Sequence, residues 1–406
     1  PRARGPGVAA AARGRYPAAM GTGGRRDLVV GRVTRSRVDG RDRVAATVAG
    51  VPVFFESSDA EIAPAVEAFA GPFLLAALER RARLRLEEPP SATWLANTRR
   101  LGALFRRWWG YDGPDPLEGV ASRPDAGPPR DEGAQCFSGG IDSFHTLLHG
   151  VHRRDALDAL HGFDVALDDD ARMDAFARSL RAVAAATGRR PIVLRTSIRR
   201  HPVLRRLSWD REHGSILAAA GHALSSTVGS LVIPASWSTA WPHGWGSHWD
   251  ADPLWSGDRL RVIHDDPSLE RWDKVPGLLD PLFFAHLRVC WENRAAAANC
   301  GRCEKCVRTR VVFARFGVLD RAARCFATTE ALPASIDRLV LNRKQLEIVW
   351  EAHYLGWSLP PDVQAAVERL VARSHRALDA GPLGRLGRRL RKTARHVRRL
   401  WRPRKR

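Results

Sequence analysis

The sequence predicts an α/β protein with a doubly wound parallel sheet, preceded by a small α+β domain and followed by helices. Three observations predict this arrangement. From residue 134 onward, short apolar runs typical of strands alternate with helical runs of about ten or more residues, a pattern that favours right-handed βαβ units. A Ser-Gly-Gly loop follows the first of these strands, and four cysteines cluster after the last one. The length of 406 residues suits two or three domains.

The first part of the chain predicts the small α+β domain, over residues 27–112. Its predicted elements are strands over 27–33, 43–48 and 51–55, and helices over 60–83 and 94–109. A stretch dense in Pro, Gly, Asp and Arg then predicts a linker over residues 113–133. Residues 1–26 are predicted to be a disordered basic N-terminus, and residues 1–19 are left out of the fold prediction because Met20 directly precedes the first strand-like region.

The second part, residues 134–325, predicts the parallel sheet. Its predicted elements are strands over 134–137, 156–163, 191–196, 230–234 and 261–264, and helices over 142–153, 171–187, 213–225 and 307–316. Ligands of such sheets bind at the carboxyl ends of the strands, so the loops that follow the strands are the candidate site. Helical runs over 335–354 and 361–378 predict a C-terminal group of helices within residues 326–380.

The formal charge of +21 is concentrated at the two ends of the chain. Six arginines in residues 1–26 and twelve basic residues in 385–406, with no acid in either range, leave +3 for the rest. This distribution argues against a nucleic-acid surface on the folded body. The tail, residues 381–406, could contact RNA or an anionic membrane surface, although a solvated, disordered tail is favoured. No apolar run is long enough for a membrane span and no secretory signal is evident, so we expect a cytoplasmic protein.

The strongest catalytic motif is Ser138-Gly139-Gly140-Ile141-Asp142-Ser143, which lies between a predicted strand and a predicted helix. Adjacent glycines let successive backbone N–H groups approach an anion, and the helix adds the positive end of its dipole. Ser138 and Ser143 can donate hydroxyls to phosphate, while Asp142 would hold Mg²⁺ or orient the donors. The Lys of the Walker loop is absent, which argues against ordinary γ-phosphate chemistry. The alternative is a plain Gly-rich turn with Asp142 as a helix cap.

These residues resemble the SGGxDS loop of the PP-loop ATP pyrophosphatase superfamily. The resemblance implies an adenine nucleotide α-hydrolase-like sheet over about residues 134–325. It also implies that the loop binds the β and γ phosphates of ATP while a substrate oxygen attacks the α phosphorus, which gives adenylation with release of pyrophosphate. By the same analogy, Gly162 and Phe163 would lie beside the adenine ring, and His213 could contact ATP at a helix start, although a plain helix start is slightly favoured there.

Four of the six cysteines predict a metal site. Cys290, Cys300, Cys303 and Cys306 have the spacing C-x9-C-x2-C-x2-C, and four thiolates with no open position suit a closed, structural Zn²⁺ site. An iron–sulfur cluster and redox handling of sulfur are the alternatives. The quartet is similar to that of the 7-cyano-7-deazaguanine synthase family, but the extra N-terminal domain and the loop over 236–255 make the chain more similar to longer, uncharacterised PP-loop proteins.

The loop after the fourth predicted strand is the candidate second-substrate site. Residues 236–250 contain a Trp at every fourth position, but Pro242, Gly244 and Gly246 argue against a helix. Flat aromatic surfaces beside polar groups suit a pocket or lid, in which His243 or His248 could act as general base. Tryptophans that simply pack beneath a long loop are an equal alternative.

Together these features predict an ATP- and Mg²⁺-dependent adenylating ligase, resembling an amidotransferase, that activates a carboxylate or amide oxygen of an unknown small molecule. Ammonia or an amine is expected as the donor, because no N-terminal catalytic Cys of the glutaminase kind is present. A homodimer is left open. The alternatives are a tRNA-thiolating PP-loop enzyme and a nucleotide-binding protein without turnover.

Overall fold

A computed structural model describes residues 27–293 and 297–379. The basic segments predicted at residues 1–26 and 381–406 lie outside these ranges. The strands are Leu28–Val30 (β1), Thr34–Val38 (β2), Arg41–Val48 (β3), Val51–Ser57 (β4), Leu84–Leu86 (β5), Gly133–Cys136 (β6), Ala156–His161 (β7), Arg190–Thr196 (β8), Ser230–Ile233 (β9) and Arg261–His264 (β10). The α-helices are Val66–Ala70 (α1), Leu74–Arg80 (α2), Ala92–Trp109 (α3), Ile141–His149 (α4), Asp170–Ala186 (α5), Trp209–Ala223 (α6), Pro281–His286 (α7), Glu304–Arg315 (α8), Leu332–Asp337 (α9) and Pro361–Asp379 (α10), with a π-helix at Gln345–Tyr354.

The strands form one mixed, mostly parallel sheet of ten strands. Their order is β10-β9-β6-β7-β8-β4-β3-β1-β5, with β2 paired to β3. Neighbours from β10 to β8 are all parallel; helices α4, α5 and α6 provide three of the crossovers, and a long loop with a 3₁₀ turn joins β9 to β10. The predicted α/β class is confirmed in this half, where the strands alternate with helices as the sequence pattern required.

The N-terminal strands continue the same sheet, which is why the sheet is mixed rather than parallel throughout. Strand β4 pairs antiparallel with β8 through Phe55↔Thr196 and Glu56↔Arg195. Glu56 is 1% exposed and forms ion pairs with Arg43 and Arg195, so charge as well as backbone pairing holds this junction. The small α+β segment predicted over 27–112 therefore shares its sheet with the segment that follows.

Two cores lie on opposite faces of the sheet. Helix α6 and the N-terminal helices cover one face, where Ile216 packs with Ile192 and Leu231. Helices α4 and α5 cover the other face together with the C-terminal helices, and Phe144 and Leu180 belong to that core. Helices on both faces are the arrangement expected of a doubly wound sheet. Within the described ranges, no helix is long and apolar enough to cross a membrane.

The sequence prediction was wrong about several local elements. The helix predicted over 60–83 is two short helices, α1 and α2, separated by a 3₁₀ turn at Gly71–Phe73 in which Pro72 restricts the backbone. The helix predicted over 335–354 is also divided, into α9 and the π-helix. The edge strand β2 was missed because all of its residues except Val38 are exposed, which removes the alternation of buried and exposed side chains.

Candidate functional site

The Ser-Gly-Gly loop joins the carboxyl end of β6 to the start of α4. Gly139 has a φ of +74°, and a Cβ added there would lie 3.2 Å from Arg288 Cβ, so glycine is favoured on both grounds. The Ser143 hydroxyl donates to the Gly140 carbonyl over 3.0 Å, which fixes the turn from within. The loop lies at the carboxyl edge of the sheet, as predicted, with the amino end of α4 directly behind it.

Two basic side chains converge on the carboxylate of this loop. Arg271 Nε donates to Asp142 Oδ2 over 2.8 Å, and Lys274 Nζ lies 3.5 Å from Oδ1. Lys274 is 2% exposed and also donates to the Ala235 carbonyl over 2.6 Å. Burial raises the pKa of Asp142, but the positive charges of Arg271 and Lys274 outweigh that effect and lower the pKa below its usual value. Asp142 is thus held as a carboxylate.

A third cation, Lys305, belongs to the same group. Burial lowers the pKa of Lys305, Arg271 lowers it further, and Asp142 acts in the opposite direction, so the three side chains lie within electrostatic range of one another. Arg271 and Lys274 contact the loop carboxylate, Lys305 acts on it at longer range, and backbone N–H groups of a glycine turn are close by. Such a surface has an excess of positive charge that suits a polyanion such as the phosphates of a nucleotide.

The four predicted metal ligands come together in the structure. The Sγ atoms of Cys290, Cys300, Cys303 and Cys306 all lie within 4.8 Å of one another. Two of the separations are 3.8 Å, between Cys290 and Cys303, and 3.9 Å, between Cys300 and Cys306. Zn–S bonds of about 2.3 Å in a tetrahedron place sulfur atoms about 3.8 Å apart. The quartet could therefore hold a metal ion such as zinc.

The thiol chemistry of the quartet is consistent with a bound cation. Hydrogen bonding with Cys303 and Cys306 lowers the pKa of Cys290, whereas hydrogen bonding with Cys290, together with burial, raises the pKa of Cys303 to about 12, and neighbouring thiols raise that of Cys306 as well. Four ionised thiolates in this space therefore require a cation between them. Backbone N–H groups of Arg302 and Cys303 donate to Cys300 Sγ over 3.4 and 3.2 Å, which orients one ligand before any metal binds.

The cysteine cluster is joined directly to the Ser-Gly-Gly loop. The Arg288 N–H donates to the Gly139 carbonyl over 2.8 Å, two residues before Cys290. Asn299 is fully buried, and its Oδ1 accepts from the backbone N–H groups of Val289 and Cys290 over 2.7 and 3.1 Å. The segment that carries the first metal ligand is thus the segment that supports the glycine turn.

The tryptophan-rich loop begins beside the Ser-Gly-Gly loop, since Ser236 Oγ lies 3.5 Å from Asp142 Oδ2. His243 lies in an aromatic group within this loop, where its ring centre is 5.1 Å from that of Trp237 and 5.7 Å from that of Trp245. Burial lowers the pKa of His243, so its imidazole is neutral at pH 7. His353 of the π-helix packs against the same group, 5.8 Å from Trp237. This arrangement fits both alternatives, tryptophans that pack beneath the loop and aromatic rings that line a ligand pocket.

His248 lies in a different aromatic group from His243. Its ring stacks on Trp249 at 3.7 Å and meets Trp108 of α3 at 4.7 Å. Its Nδ1 accepts from the Asp250 N–H over 3.0 Å, and burial lowers its pKa to about 4. The neutral ring therefore carries its proton on Nε2. The two candidate general bases, His243 and His248, therefore lie in separate aromatic groups.

The residues predicted for the adenine side lie near one another. Phe163 packs at 4.6 Å against Trp209, which in turn stacks at 5.4 Å on His213. Helix α6 begins at Trp209, four residues before the predicted start, so the prediction that His213 lies at a helix start is wrong and His213 lies in the second turn. His213 Nδ1 is hydrogen bonded to the Trp209 carbonyl over 2.8 Å. Gly162 has a φ of +98°, and a Cβ there would lie 2.0 Å from the Thr196 carbonyl oxygen, so only glycine fits. Together they form an aromatic surface at the carboxyl end of β7.

A cavity of about 480 Å³ lies elsewhere, at the amino end of β10, where Thr93, Asp258 and Arg261 contribute to its wall. Parallel sheets bind ligands at the opposite, carboxyl edge, so we assign this cavity no part in the site.

Comparison with protein-family models, with curated proteins and with solved structures finds no match. The function of the protein is therefore inferred from the chain's own residues.

Sequence reasoning missed several residues of this region. Arg271 and Lys274 follow the last strand of the parallel half, in a position that the carboxyl-edge rule could have indicated. Asn299 directly precedes Cys300, but an amide next to a cysteine carries no recognisable pattern.

Proposed function

We propose that the protein is an ATP-dependent adenylating ligase of the PP-loop type. It would activate an oxygen of a small carboxylate or amide by transfer of AMP, release pyrophosphate, and let a nucleophile displace AMP. The observation that carries the proposal is the meeting of Arg271 and Lys274 at Asp142 in a loop whose glycine turn presents backbone N–H groups. A leaving pyrophosphate gains negative charge, and fixed cations stabilise that charge.

The components of the nucleotide can be assigned to different residues. The β and γ phosphates would bind the Ser138–Ser143 loop, with Lys274 and Arg271 as their cationic partners. The base would lie against Phe163 and Trp209, near His213. Because both oxygens of Asp142 are paired with cations, Mg²⁺ would be held mainly by phosphate oxygens and water, as is usual for nucleotide-bound Mg²⁺.

A structural zinc ion would be held by the cysteine quartet, where it would fix the segment beneath the glycine turn. Two of the sulfur separations match one tetrahedral ion and all of them lie within 4.8 Å, which favours a single zinc ion over a cluster of several irons. Zinc would supply no reacting group and would act on folding alone.

The tRNA-thiolating alternative requires a reactive cysteine near the loop. Cys136 is the closest in sequence, but burial raises its pKa well above the usual value, and nearby Asp158 raises it further. A buried thiol with a raised pKa is a poor nucleophile. The adenylating reading is therefore preferred to persulfide chemistry.

The first test is nucleotide binding by isothermal titration calorimetry. ATP should bind, inorganic pyrophosphate should compete with it, and AMP should bind much more weakly, because the loop is assigned to the β and γ phosphates. Lys274→Met should weaken ATP binding about tenfold or more, the effect of removing one charged hydrogen-bond donor. Arg37→Met, which removes the same charge from the exposed strand β2, should leave it unchanged.

The second test is the reaction itself. Incubation with a panel of carboxylic acids, ATP and radiolabelled pyrophosphate should give acid-dependent exchange of label into ATP, with AMP rather than ADP as product. Production of ADP, or ATP binding that ignores Lys274, would contradict the proposal. ATP binding without exchange for any acid would favour the non-catalytic alternative.

A further inference from the structure

One buried amide side chain, that of Asn299, holds the segment that supports the Ser-Gly-Gly loop. Asn299 is fully buried. Its Nδ2 donates to the Leu287 carbonyl over 2.7 Å and to the Cys325 carbonyl over 3.0 Å. Its Oδ1 accepts from the backbone N–H groups of Val289 and Cys290. Both N–H donors and both lone pairs of the amide are therefore used.

These hydrogen bonds lie on both sides of Arg288. Leu287 and Val289, the residues before and after it, are held by the same side chain. The Arg288 N–H donates to the Gly139 carbonyl over 2.8 Å, so the peptide between the two held residues is the one that contacts the glycine turn. A buried amide with every hydrogen bond made leaves the backbone around it little freedom to move. Asn299 thus fixes the support of the turn.

The same side chain also joins two of the metal ligands. Cys290 is the second residue after Arg288, and its N–H donates to Asn299, which directly precedes Cys300. The two cysteines are separated by nine residues. When both thiolates bind one metal ion, the two ends of this connection are held together, because binding of a structural metal is coupled to local folding. The quartet and the glycine turn therefore share the segment 288–290, and Asn299 ties that segment to the second ligand.

Two sites that stabilise the same conformation of a shared segment are coupled, and the coupling is reciprocal. We propose that Asn299 is a positioning residue that couples metal binding at the cysteine quartet to nucleotide binding at the Ser-Gly-Gly loop. The segment 288–290 is fixed when the quartet binds its metal, and the Arg288 N–H then holds the Gly139 carbonyl. The link between the quartet and the turn rests on hydrogen bonds alone, whereas its effect on ATP rests on the proposed function.

The nucleotide site is then complete only in the metal-bound protein. This effect is exerted through local folding and needs no contact between the metal and the nucleotide. Couplings between two sites of a protein typically change an affinity about 5- to 150-fold, and we expect about tenfold here. Because the coupling is reciprocal, the nucleotide should strengthen metal binding by the same factor.

The test uses the full chain, freed of metal by a chelator under reducing conditions, and follows Co²⁺ binding through the absorbance of a tetrahedral thiolate site. ATP with excess Mg²⁺, which keeps the nucleotide from binding Co²⁺, should tighten Co²⁺ binding about tenfold. Calorimetry in the reverse order should show that Co²⁺ tightens ATP binding by the same factor. Asn299→Ala keeps the four thiolates and should bring both ratios to about one. A side chain that only stabilised the fold would leave the ratios unchanged.

Asn97→Ala is the matched control. The Asn97 amide donates to the Ser256 carbonyl over 3.1 Å near the amino end of β10, so its removal loses a similar hydrogen bond away from the loop, and the ratios should stay about tenfold. Hydrogen exchange followed by mass spectrometry reads the link without nucleotide. Zn²⁺ should slow exchange in the peptide that carries Arg288 in the wild type but not in Asn299→Ala, while the peptide of β9 should be unaffected.

A ratio of one in the wild type, or a tenfold ratio that survives in Asn299→Ala, would overturn the proposal. Loss of Co²⁺ binding in that variant would overturn it too, since Asn299 would then belong to the metal site itself. If ATP binds but neither affinity nor exchange responds to metal, the coupling is refuted and the adenylating function stands. If Zn²⁺ slows the exchange but ATP does not bind, the coupling stands and the adenylating function fails. Should Asn299→Ala not fold, Asn299→Asp takes its place, because it keeps the size and the acceptor oxygen and loses only the two donated hydrogen bonds.

Discussion

Asp158 should make the protein less stable than it would be without this carboxylate. Burial raises the pKa of Asp158 to about 7 from an ordinary value of 3.8, and neither oxygen has a partner among the described residues. The folded state therefore favours the protonated acid. The contribution of Asp158 to the free energy of unfolding is fully present below pH 3.8 and is lost as the pH rises through 7, because the unfolded chain releases the proton more readily. Asp158→Asn removes the titration while keeping the size and shape of the side chain.

The magnitude follows from the two pKa values. A difference of about three pKa units corresponds to a total of about 4 kcal/mol, of which about 2 kcal/mol falls between pH 5 and pH 7. The variant should therefore be more stable than the wild type at pH 8, and its advantage should shrink by a few kcal/mol toward pH 5. Glu212, whose pKa burial also raises to about 7, titrates in both proteins and cancels in the difference.

Urea unfolding followed by circular dichroism at pH 5, 6, 7 and 8 measures this difference directly. Asp320→Asn, which changes an exposed carboxylate, serves as the control, and its free energy of unfolding should change little at any pH. A variant whose advantage does not change with pH, or which is less stable than wild type at pH 8, would refute the assignment of Asp158 as a buried, unpaired acid.

Three further predictions concern the surroundings of the site. Gly139→Ala should cost about 1 kcal/mol of stability and weaken ATP binding measured by calorimetry, because φ is positive there and Arg288 occupies the space of the new Cβ; normal ATP affinity would contradict the assigned role of the turn. Cys303→Ser should lower the zinc content measured by mass spectrometry and the melting temperature together, whereas Cys325→Ser, outside the quartet, should leave the zinc unchanged. Burial lowers the pKa of His248 to about 4, so the contribution of its neutral ring to the free energy of unfolding should be lost as the pH falls from 6.5 toward 4. His248→Gln should remove this dependence when the free energy of unfolding is measured against pH. An unchanged pH dependence would show that His248 is solvated.

The parallel half of the sheet could be predicted because its local signals agree. Apolar runs such as that of β9 and the helical periodicity of α5 are properties of neighbouring residues, and the rule for parallel sheets then indicates the carboxyl edge as the site. The cysteine quartet was equally accessible, since three of its ligands lie within seven residues of one another and the ligand type is unambiguous.

The partners of Asp142 were beyond prediction for the opposite reason. Arg271 and Lys274 are 129 and 132 residues away along the chain, and only the tertiary fold brings them to the loop. The pairing of Cys136 with Asp158 depends on strand register, which a four-residue strand such as β6 determines weakly by sequence alone. The tryptophan period of four is typical of a helix, but Pro242, Gly244 and Gly246 predicted an irregular loop there, and the structure confirms the loop.

The pairing of β4 with β8 means that the N-terminal segment covers an edge of the parallel half of the sheet. Without β4, strand β8 would be the outermost strand of the parallel half, with a row of unsatisfied backbone groups open to pairing with another chain. The buried Glu56 and its two arginines would be exposed at the same time. The segment thus prevents edge-to-edge aggregation, and a fragment that begins at residue 133 should be far less soluble than the full chain.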